Sequence, residues 1–238
     1  MIEAAGVVIP AHNEQDLLPR CLAGVRRAAG LAGVPVYLVV VADACADQTA
    51  VVARAQGAAV VEAAARCVGA ARRAGVSQVL RSTCDVDPAA VWVATTDADT
   101  LVPRWWLSRQ LRYADRGWKG VVGTVTVEDW GGHPPGVQRL YSQRYRAWRE
   151  QHPHVHGANL GFAADAYLAV GGFRALPTAE DHALVNDLAA AGFPLLRTTR
   201  IPVMTSARTR ARAPRGFAWL LSTLAAEETI PGPQEESA

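Results

Sequence analysis

The sequence predicts a single α/β domain with a mostly parallel central sheet flanked by helices. Apolar segments rich in β-branched residues alternate with segments of helical periodicity through the first half, which is the pattern of βαβ units. The polar clusters of that half fall where the predicted strands end, at the edge where open α/β sheets bind their ligands. The chain has 238 residues, enough to bury one sizeable core, with no linker-like stretch dividing it.

The elements follow in order. Gly6-Val7-Val8-Ile9 reads as a first strand ended by Pro10. Leu17, Leu18, Cys21, Leu22 and Val25 recur at helical spacing, and Val36 to Val41 is a second strand whose unbroken apolar character suits a sheet covered on both faces. A helix over 46–56, a short strand over 59–61, a helix over 67–79 and a strand over 91–94 complete the alternating half. Beyond it, Val121 to Val127 alternates like a mixed strand, and Gly136 to Glu150 is a polar, aromatic-bearing helix. His156 to Phe162 is a loop entering a strand, 164–170 a helix stopped by Gly171-Gly172, and 179–191 a helix capped by Gly192. Leu195 to Val203 is a last strand and Pro214 to Ala226 a last amphipathic helix. The domain is expected to span 1–226, with 227–238 a frayed acidic tail.

Composition excludes several classes. Charged residues make up 19% and hydrophobic ones 50%, so disorder is not expected, and no apolar run approaches the roughly 18 to 20 residues of a membrane span. Met1-Ile2-Glu3-Ala4 shows no signal-peptide pattern, and a soluble cytoplasmic protein is expected. Cys21, Cys45, Cys67 and Cys84 form no C-x-x-C pair, which argues against a zinc site or a disulfide framework. A net charge of +2 does not call for nucleic acid as a partner.

The chemistry gathers at the strand ends. Asp97-Ala98-Asp99 follows the strand Val91 to Ala94, and two carboxylates one pleat apart can converge on one hard cation. Mg2+ or Mn2+ held that way takes its remaining ligands from water and substrate phosphates. Pro10-Ala11-His12-Asn13-Glu14 follows the first strand, and Asp43 with Asp47-Gln48-Thr49 follows the second. Asn13 and Asp47 suit helix N-caps equally well, whereas Asp43 lies before the cap region, where its carboxylate can accept from a base imide or a ribose hydroxyl. Neither G-x-G-x-x-G nor G-x-x-x-x-G-K-[ST] occurs, so dinucleotide oxidoreductases and P-loop kinases are excluded. A diphosphate bound here must be neutralised by metal and arginine.

Taken together, Val8-Ile9-Pro10-Ala11-His12-Asn13-Glu14, Asp43 with Asp47-Gln48-Thr49, Asp97-Ala98-Asp99, Gly171-Gly172-Phe173 and Glu180-Asp181 resemble family 2 glycosyltransferases of the GT-A fold over roughly residues 6 to 210. The resemblance implies a nucleotide-sugar across the sheet edge, a UDP-sugar being the commonest choice, with a divalent cation bridging its diphosphate to the D-x-D carboxylates. It implies that Pro10, His12 and Glu14 line the nucleoside pocket, that Asp43 contacts the base, and that Asp97 reaches the ribose and joins Asp99 at the metal. Arg66 to Gly75 is similar to the family's glycine and arginine segment, with Arg72 the chosen phosphate or nucleotide ligand and Arg66 the second choice. The E-D pair implies Asp181 as general base in an inverting displacement, with Glu180 on the acceptor side together with Asn159 of the His156 to Phe162 segment.

Arg208, with Arg210 and Arg212, lies where family members carry a segment that closes over the diphosphate, while the Q-x-x-R-W of processive membrane synthases is missing. The acceptor is expected to be a hydroxyl on a small molecule or on a lipid- or glycan-linked group. Trp105, Trp106, Trp118, Trp130, Trp148, Tyr141 and Tyr145 serve either as an acceptor wall or as core. Arg215 to Leu224 serves either as a helix packed on the domain or in a homodimer, or as a peripheral membrane contact. Two other readings remain. A sugar-phosphate nucleotidyltransferase opens with a glycine-rich loop carrying Arg and Lys, which 10–14 is not, and a degenerate binding protein predicts loss of the acids that are retained here.

Overall fold

The computed structural model describes residues 1–127, 129–146, 151–208 and 217–228. The first half folds as its pattern predicts. Strand β1 (Ala4–Ala11), helix α1 (Leu18–Ala29), β2 (Val36–Asp43), α2 (Thr49–Ala55), β3 (Ala59–Ala63), α3 (Val68–Ser82) and β4 (Val91–Thr95) succeed one another as βαβ units. β1 pairs in parallel with β2 on one side and β4 on the other, and β2 pairs in parallel with β3. Covered by helices, β1 is buried along almost its whole length, which is why Val7, Val8 and Ile9 carry no polar alternation.

Helix α3 lies unusually close to this sheet. A Cβ added at Gly75 would sit 2.3 Å from Val8, and one at Gly69 would sit 2.2 Å from the Arg174 carbonyl. The Gly69, Arg72, Gly75 spacing therefore places two close-packing glycines and a buried arginine along one inward-facing side of the helix.

The second half departs from expectation in three places. A helix that the sequence reading missed, α4 (Trp106–Ala114), turns Trp106, Leu107, Gln110 and Leu111 inward. Its apolar residues keep helical spacing, and one polar residue shares their core face, where Gln110 Oε1 accepts a 3.0 Å hydrogen bond from the Trp92 indole. The expected strand over 121–127 is two strands, β5 (Gly120–Val122) and β6 (Val125–Val127). They part at Gly123, where any Cβ would meet the Asn159 amide at 2.2 Å. The expected strand over 195–203 is likewise two, β8 (Leu195–Arg197) and β9 (Val203–Thr205), and Pro202 between them has no N–H to continue a ladder.

Helix α5 (Pro135–Arg146), β7 (Leu160–Ala163), α6 (Ala164–Ala169), α7 (Glu180–Ala190) and α8 (Phe217–Glu228) complete the elements. The main sheet runs β3-β2-β1-β4-β7-β5-β8, with β7 antiparallel to both its neighbours and every other pairing parallel. β6 and β9 form a separate parallel pair, and Met204 bridges Leu101, which sets Thr205 beside the segment that follows β4. α5 and α8 share a second, smaller core of Val137, Tyr141, Tyr145, Leu221 and Leu224.

The apolar face of α8 is thereby packed on the domain, leaving Trp219 half-exposed. No described helix is long and apolar enough to cross a membrane. Arg210, Arg212, Trp148 and the tail from 229 onward lie outside the described residues.

Candidate active site

The acids of the site are brought together from four chain segments. β4 ends at Thr95, so Asp97-Ala98-Asp99 lies beyond the strand, in a turn closed by a 3.0 Å bond from the Thr100 N–H to the Asp97 carbonyl. This corrects the pleat argument: turn geometry, and not strand alternation, sets the two carboxylates. The Asp97 carboxylate takes a 2.6 Å ion pair from Arg72, whose other terminal nitrogen pairs with Glu180. The Arg72 guanidinium is thus a buried bridge between the D-x-D turn and the first residue of α7. Gly157 is flush against it, since a Cβ there would lie 2.3 Å from the guanidinium.

Asp99 looks the other way. Its Oδ2 accepts from Arg208 at 2.7 Å and from the Ser206 hydroxyl at 3.2 Å. Burial raises its carboxyl above the usual carboxylate range, and the guanidinium of Arg208 opposes that. Arg208 also grips Glu14 with both terminal nitrogens, at 2.9 and 3.3 Å, across 194 residues of sequence. Thr205 and Ser206, which no motif in the sequence singles out, are therefore part of the site.

Asp181 sits in the first turn of α7, after Ala179 in the left-handed conformation at φ 60°. Its Oδ2 accepts the Gly157 N–H at 2.7 Å and its Oδ1 the His182 N–H at 2.8 Å. Two backbone donors fix the carboxylate while one further lone pair on each oxygen remains for a ligand. Asp181, Asp97, Arg72, His156, Phe217 and Trp219 line one cavity of about 450 Å3.

The expected nucleoside residues cluster at the ends of β1 and β2, beside that cavity and not in its lining. His12 Nδ1 lies 2.7 Å from the Asp43 carbonyl and donates to it. Asp43 is buried, and its carboxylate accepts three backbone N–H groups, from Ala65 at 2.7 Å, Arg66 at 3.0 Å and Cys67 at 2.9 Å. It fixes the loop that launches α3, and so fixes Arg72. Asn13 and Asp47 also brace these loops: Asn13 Oδ1 accepts the Ala46 N–H at 2.8 Å, and Asp47 accepts from Thr49 and Gln15. Pro10 stands at the partly open end of β1.

Asn159 is fully buried. Its Nδ2 donates to the Thr124 and Ile201 carbonyls at 2.8 and 2.6 Å, and its Oδ1 accepts the Trp106 indole N–H at 2.8 Å. It ties together the two strand breaks and α4 from behind the site, two residues from Gly157. Histidines 152, 154 and 156 project to one side of an extended segment as a ladder of parallel rings, 6.0 and 6.2 Å apart, with Tyr145 stacked on His154 at 4.1 Å. Burial pushes the His156 imidazole down to about 4, so it is neutral beside Asp181 at pH 7.

The sequence profile described as glycosyl transferase family 2 matches residues 6–170. No curated protein sequence matches the chain. Among solved structures it resembles the mannosyltransferase PcManGT of Pyrobaculum calidifontis in complex with GDP-Man and Mn2+, at 19% identity and a TM-score of 0.63, over 89% of this chain and 59% of that one. It resembles S. aureus TarS 1-349 in complex with UDP-GlcNAc, at 14% identity and a TM-score of 0.62, over 99% of this chain and 68% of that one. A mycobacterial protein matches at 17% identity and a TM-score of 0.58, over 94% and 71%. The chain spans about three-fifths of the length of the first of these. With the profile covering well over half of the chain and the mostly parallel sheet shared with GT-A neighbours, the chain belongs to glycosyl transferase family 2.

Proposed function

We propose that the chain transfers a sugar from a nucleotide-diphosphate sugar, a UDP-sugar in the first instance, to a hydroxyl acceptor with inversion. One observation carries the reading: Asp97 of the D-x-D turn and Asp181 of the E-D pair, 84 residues apart, line the same cavity. A donor anchored at the first and an acceptor deprotonated by the second can meet there. The neighbours PcManGT and TarS, in complex with GDP-Man and UDP-GlcNAc, support a nucleotide-sugar donor and leave the base to experiment.

The donor set suits a hard divalent cation. Five carboxylates, Glu14, Asp97, Asp99, Glu180 and Asp181, face only two guanidiniums, Arg72 and Arg208, among the described residues of the site, a surplus that a diphosphate would deepen. The described residues contain no cluster of three or more His, Cys, Asp or Glu shaped for a metal. The oxygen ligands of Asp97 and Asp99 suit Mn2+ or Mg2+, which one or two carboxylates hold jointly with substrate phosphates. Asp99 and Asp97 would hold it, and bound there it would stabilise the charge of the departing nucleoside diphosphate.

The chain's own residues divide the remaining tasks. Pro10, His12, Glu14 and Asp43 build the nucleoside side, Asp43 through the loop it fixes as well as through any contact with the base. Arg72 holds Asp97 and Glu180 in register with each other. Asp181, oriented by the Gly157 N–H, takes the acceptor proton as the hydroxyl attacks, and Glu180 fixes the turn that carries it. Asn159 supports the acceptor side from behind the Gly157 segment. Arg208 stands where it can meet the diphosphate.

The test is release of nucleoside diphosphate from UDP-, GDP- and dTDP-sugars by wild type and by Asp181→Asn. The variant is expected to keep donor binding and to lose turnover by roughly a hundredfold or more. Turnover within a few-fold of wild type would overturn the assignment of the base.

A further inference from the structure

We infer that Arg208 holds the place of the divalent cation at Asp99, so that metal entry and the Arg208–Asp99 ion pair exclude one another. What the displaced arginine does next rests on the glycosyltransferase reading. The exclusion itself concerns only this chain and a metal ion.

The geometry is that of an internal counterion. A single guanidinium spans Glu14, at the end of β1, and Asp99, in the turn after β4, with Nε 3.4 Å from the Ser206 hydroxyl. Both carboxylates are nearly closed to solvent, with 8% of the Glu14 side chain and 14% of the Asp99 side chain exposed. Without a cation between them, two buried carboxylates next to Asp97 would repel one another. Arg208 supplies that charge from the end of β9, three residues beyond Thr205.

A divalent cation would have to bind the same Asp99 carboxylate. Mg2+ requires ligand distances of about 2.0 to 2.1 Å, and Mn2+ prefers the same oxygen ligands. The Asp99 Oδ2 already holds Arg208 at 2.7 Å and Ser206 at 3.2 Å. A dication on that carboxylate would face the guanidinium at contact distance, so the arginine must swing away on its flexible stem.

Once released, Arg208 is a free fork beside the diphosphate position, where bidentate pairing with phosphate oxygens is favourable. Metal and nucleotide should therefore bind synergistically: the metal alone has to expel the arginine, whereas a diphosphate rewards its release. Linkage makes the effect reciprocal, so removing the arginine should raise metal affinity by the factor that the ion pair now costs it.

The experiment is Mn2+ binding to the full chain without nucleotide, followed by electron paramagnetic resonance, for wild type, Arg208→Gln and Arg208→Lys. Circular dichroism and thermal melts on the same samples report the fold. Arg208→Gln is expected to bind Mn2+ at least tenfold more tightly than wild type, with Arg208→Lys, which keeps the charge and loses the fork, in between. Arg208→Gln should melt lower than wild type without metal and gain more melting temperature from Mn2+. Adding Asp99→Asn to Arg208→Gln should abolish the gain.

Equal or weaker Mn2+ binding by a folded Arg208→Gln, no Mn2+ binding by any variant, or a gain that survives Asp99→Asn would each overturn the inference. If Arg208→Gln does not fold, Arg208→Lys decides alone: tighter Mn2+ binding than wild type upholds the exclusion, and equal or weaker binding overturns it. Repeating the titration with UDP, GDP and dTDP separates the two claims. Nucleotide binding with unchanged Mn2+ affinity in Arg208→Gln sinks the exclusion alone. Absence of any nucleotide binding sinks the donor reading, and the metal result is then judged by itself.

Discussion

Replacing Arg72 by methionine removes the cation that joins the two halves of the site while keeping most of the side-chain volume. The guanidinium and the Glu180 carboxylate are each only 4% exposed, whereas the Asp97 side chain is 39% exposed. Loss of the Asp97 contact should therefore cost little, about 0 to 1 kcal/mol, because water takes over. Loss of the Glu180 contact strands a carboxylate in the interior, and breaking a buried pair from one side typically costs about 3 to 5 kcal/mol. Protonation of Glu180 limits that cost, so the expected net loss is about 3 kcal/mol.

For a chain of this size that corresponds to a fall of roughly 6 to 12 °C in melting temperature. Urea unfolding at pH 7, followed by circular dichroism, gives the number. Adding Glu180→Gln removes the stranded charge, and the double variant should recover at least half of the loss. The single variant's deficit should also shrink on acidification toward about pH 4, where a carboxyl of ordinary affinity binds its proton. A loss below about 1 kcal/mol, or a double variant no more stable than Arg72→Met, would refute the account of Arg72 as a buried bridge.

Other outcomes follow from the same geometry. Asn159→Leu should destabilise the chain by about 2 to 4 kcal/mol, since it leaves the Trp106 indole N–H and the Ile201 carbonyl without their partner, the Thr124 carbonyl keeping the Val203 N–H; a loss under 1 kcal/mol in urea unfolding would contradict the clasp. Burial lowers the proton affinity of His152, His154 and His156 in the folded chain, His156 to about 4, so the unfolded chain binds more protons below its ordinary histidine value of about 6.5. Stability should be full above that pH and decline as pH falls toward 4. Melting curves in a pH series should show the decline and His156→Phe should flatten it, whereas equal slopes in the two proteins would count against a neutral buried His156.

The first half of the fold was legible because parallel strands covered on both faces must be apolar throughout, and β1 and β2 are. α4 was missed although Trp106, Leu107, Leu111 and Ala114 recur at helical spacing; what the pattern could not show is that Gln110 occupies a core position to hold Trp92. The breaks between β5 and β6 and between β8 and β9 depend on what Gly123 packs against and on the missing N–H of Pro202, and Gly123's partner, Asn159, lies 36 positions away.

In the site, the acids declared themselves by their places at strand and helix ends. Their pairings did not. Arg72 reaches Glu180 across 108 residues and Arg208 reaches Glu14 across 194, separations that carry no signal in a single sequence. The glycines flanking Arg72 show how a motif can be recognised before its physical cause: they allow α3 to approach the sheet and the 174–176 segment closely enough to bury the arginine.

The central claim, a nucleotide-sugar site built on Asp97 and Asp99, is tested most directly by calorimetric titration of UDP, GDP and dTDP into the full chain with and without Mn2+, repeated on Asp99→Ala. The account predicts that one nucleotide, UDP in the first instance, binds in a Mn2+-dependent manner and that Asp99→Ala abolishes this binding. Failure of every nucleotide to bind under any of these conditions, or binding indifferent to both Mn2+ and Asp99→Ala, would contradict it.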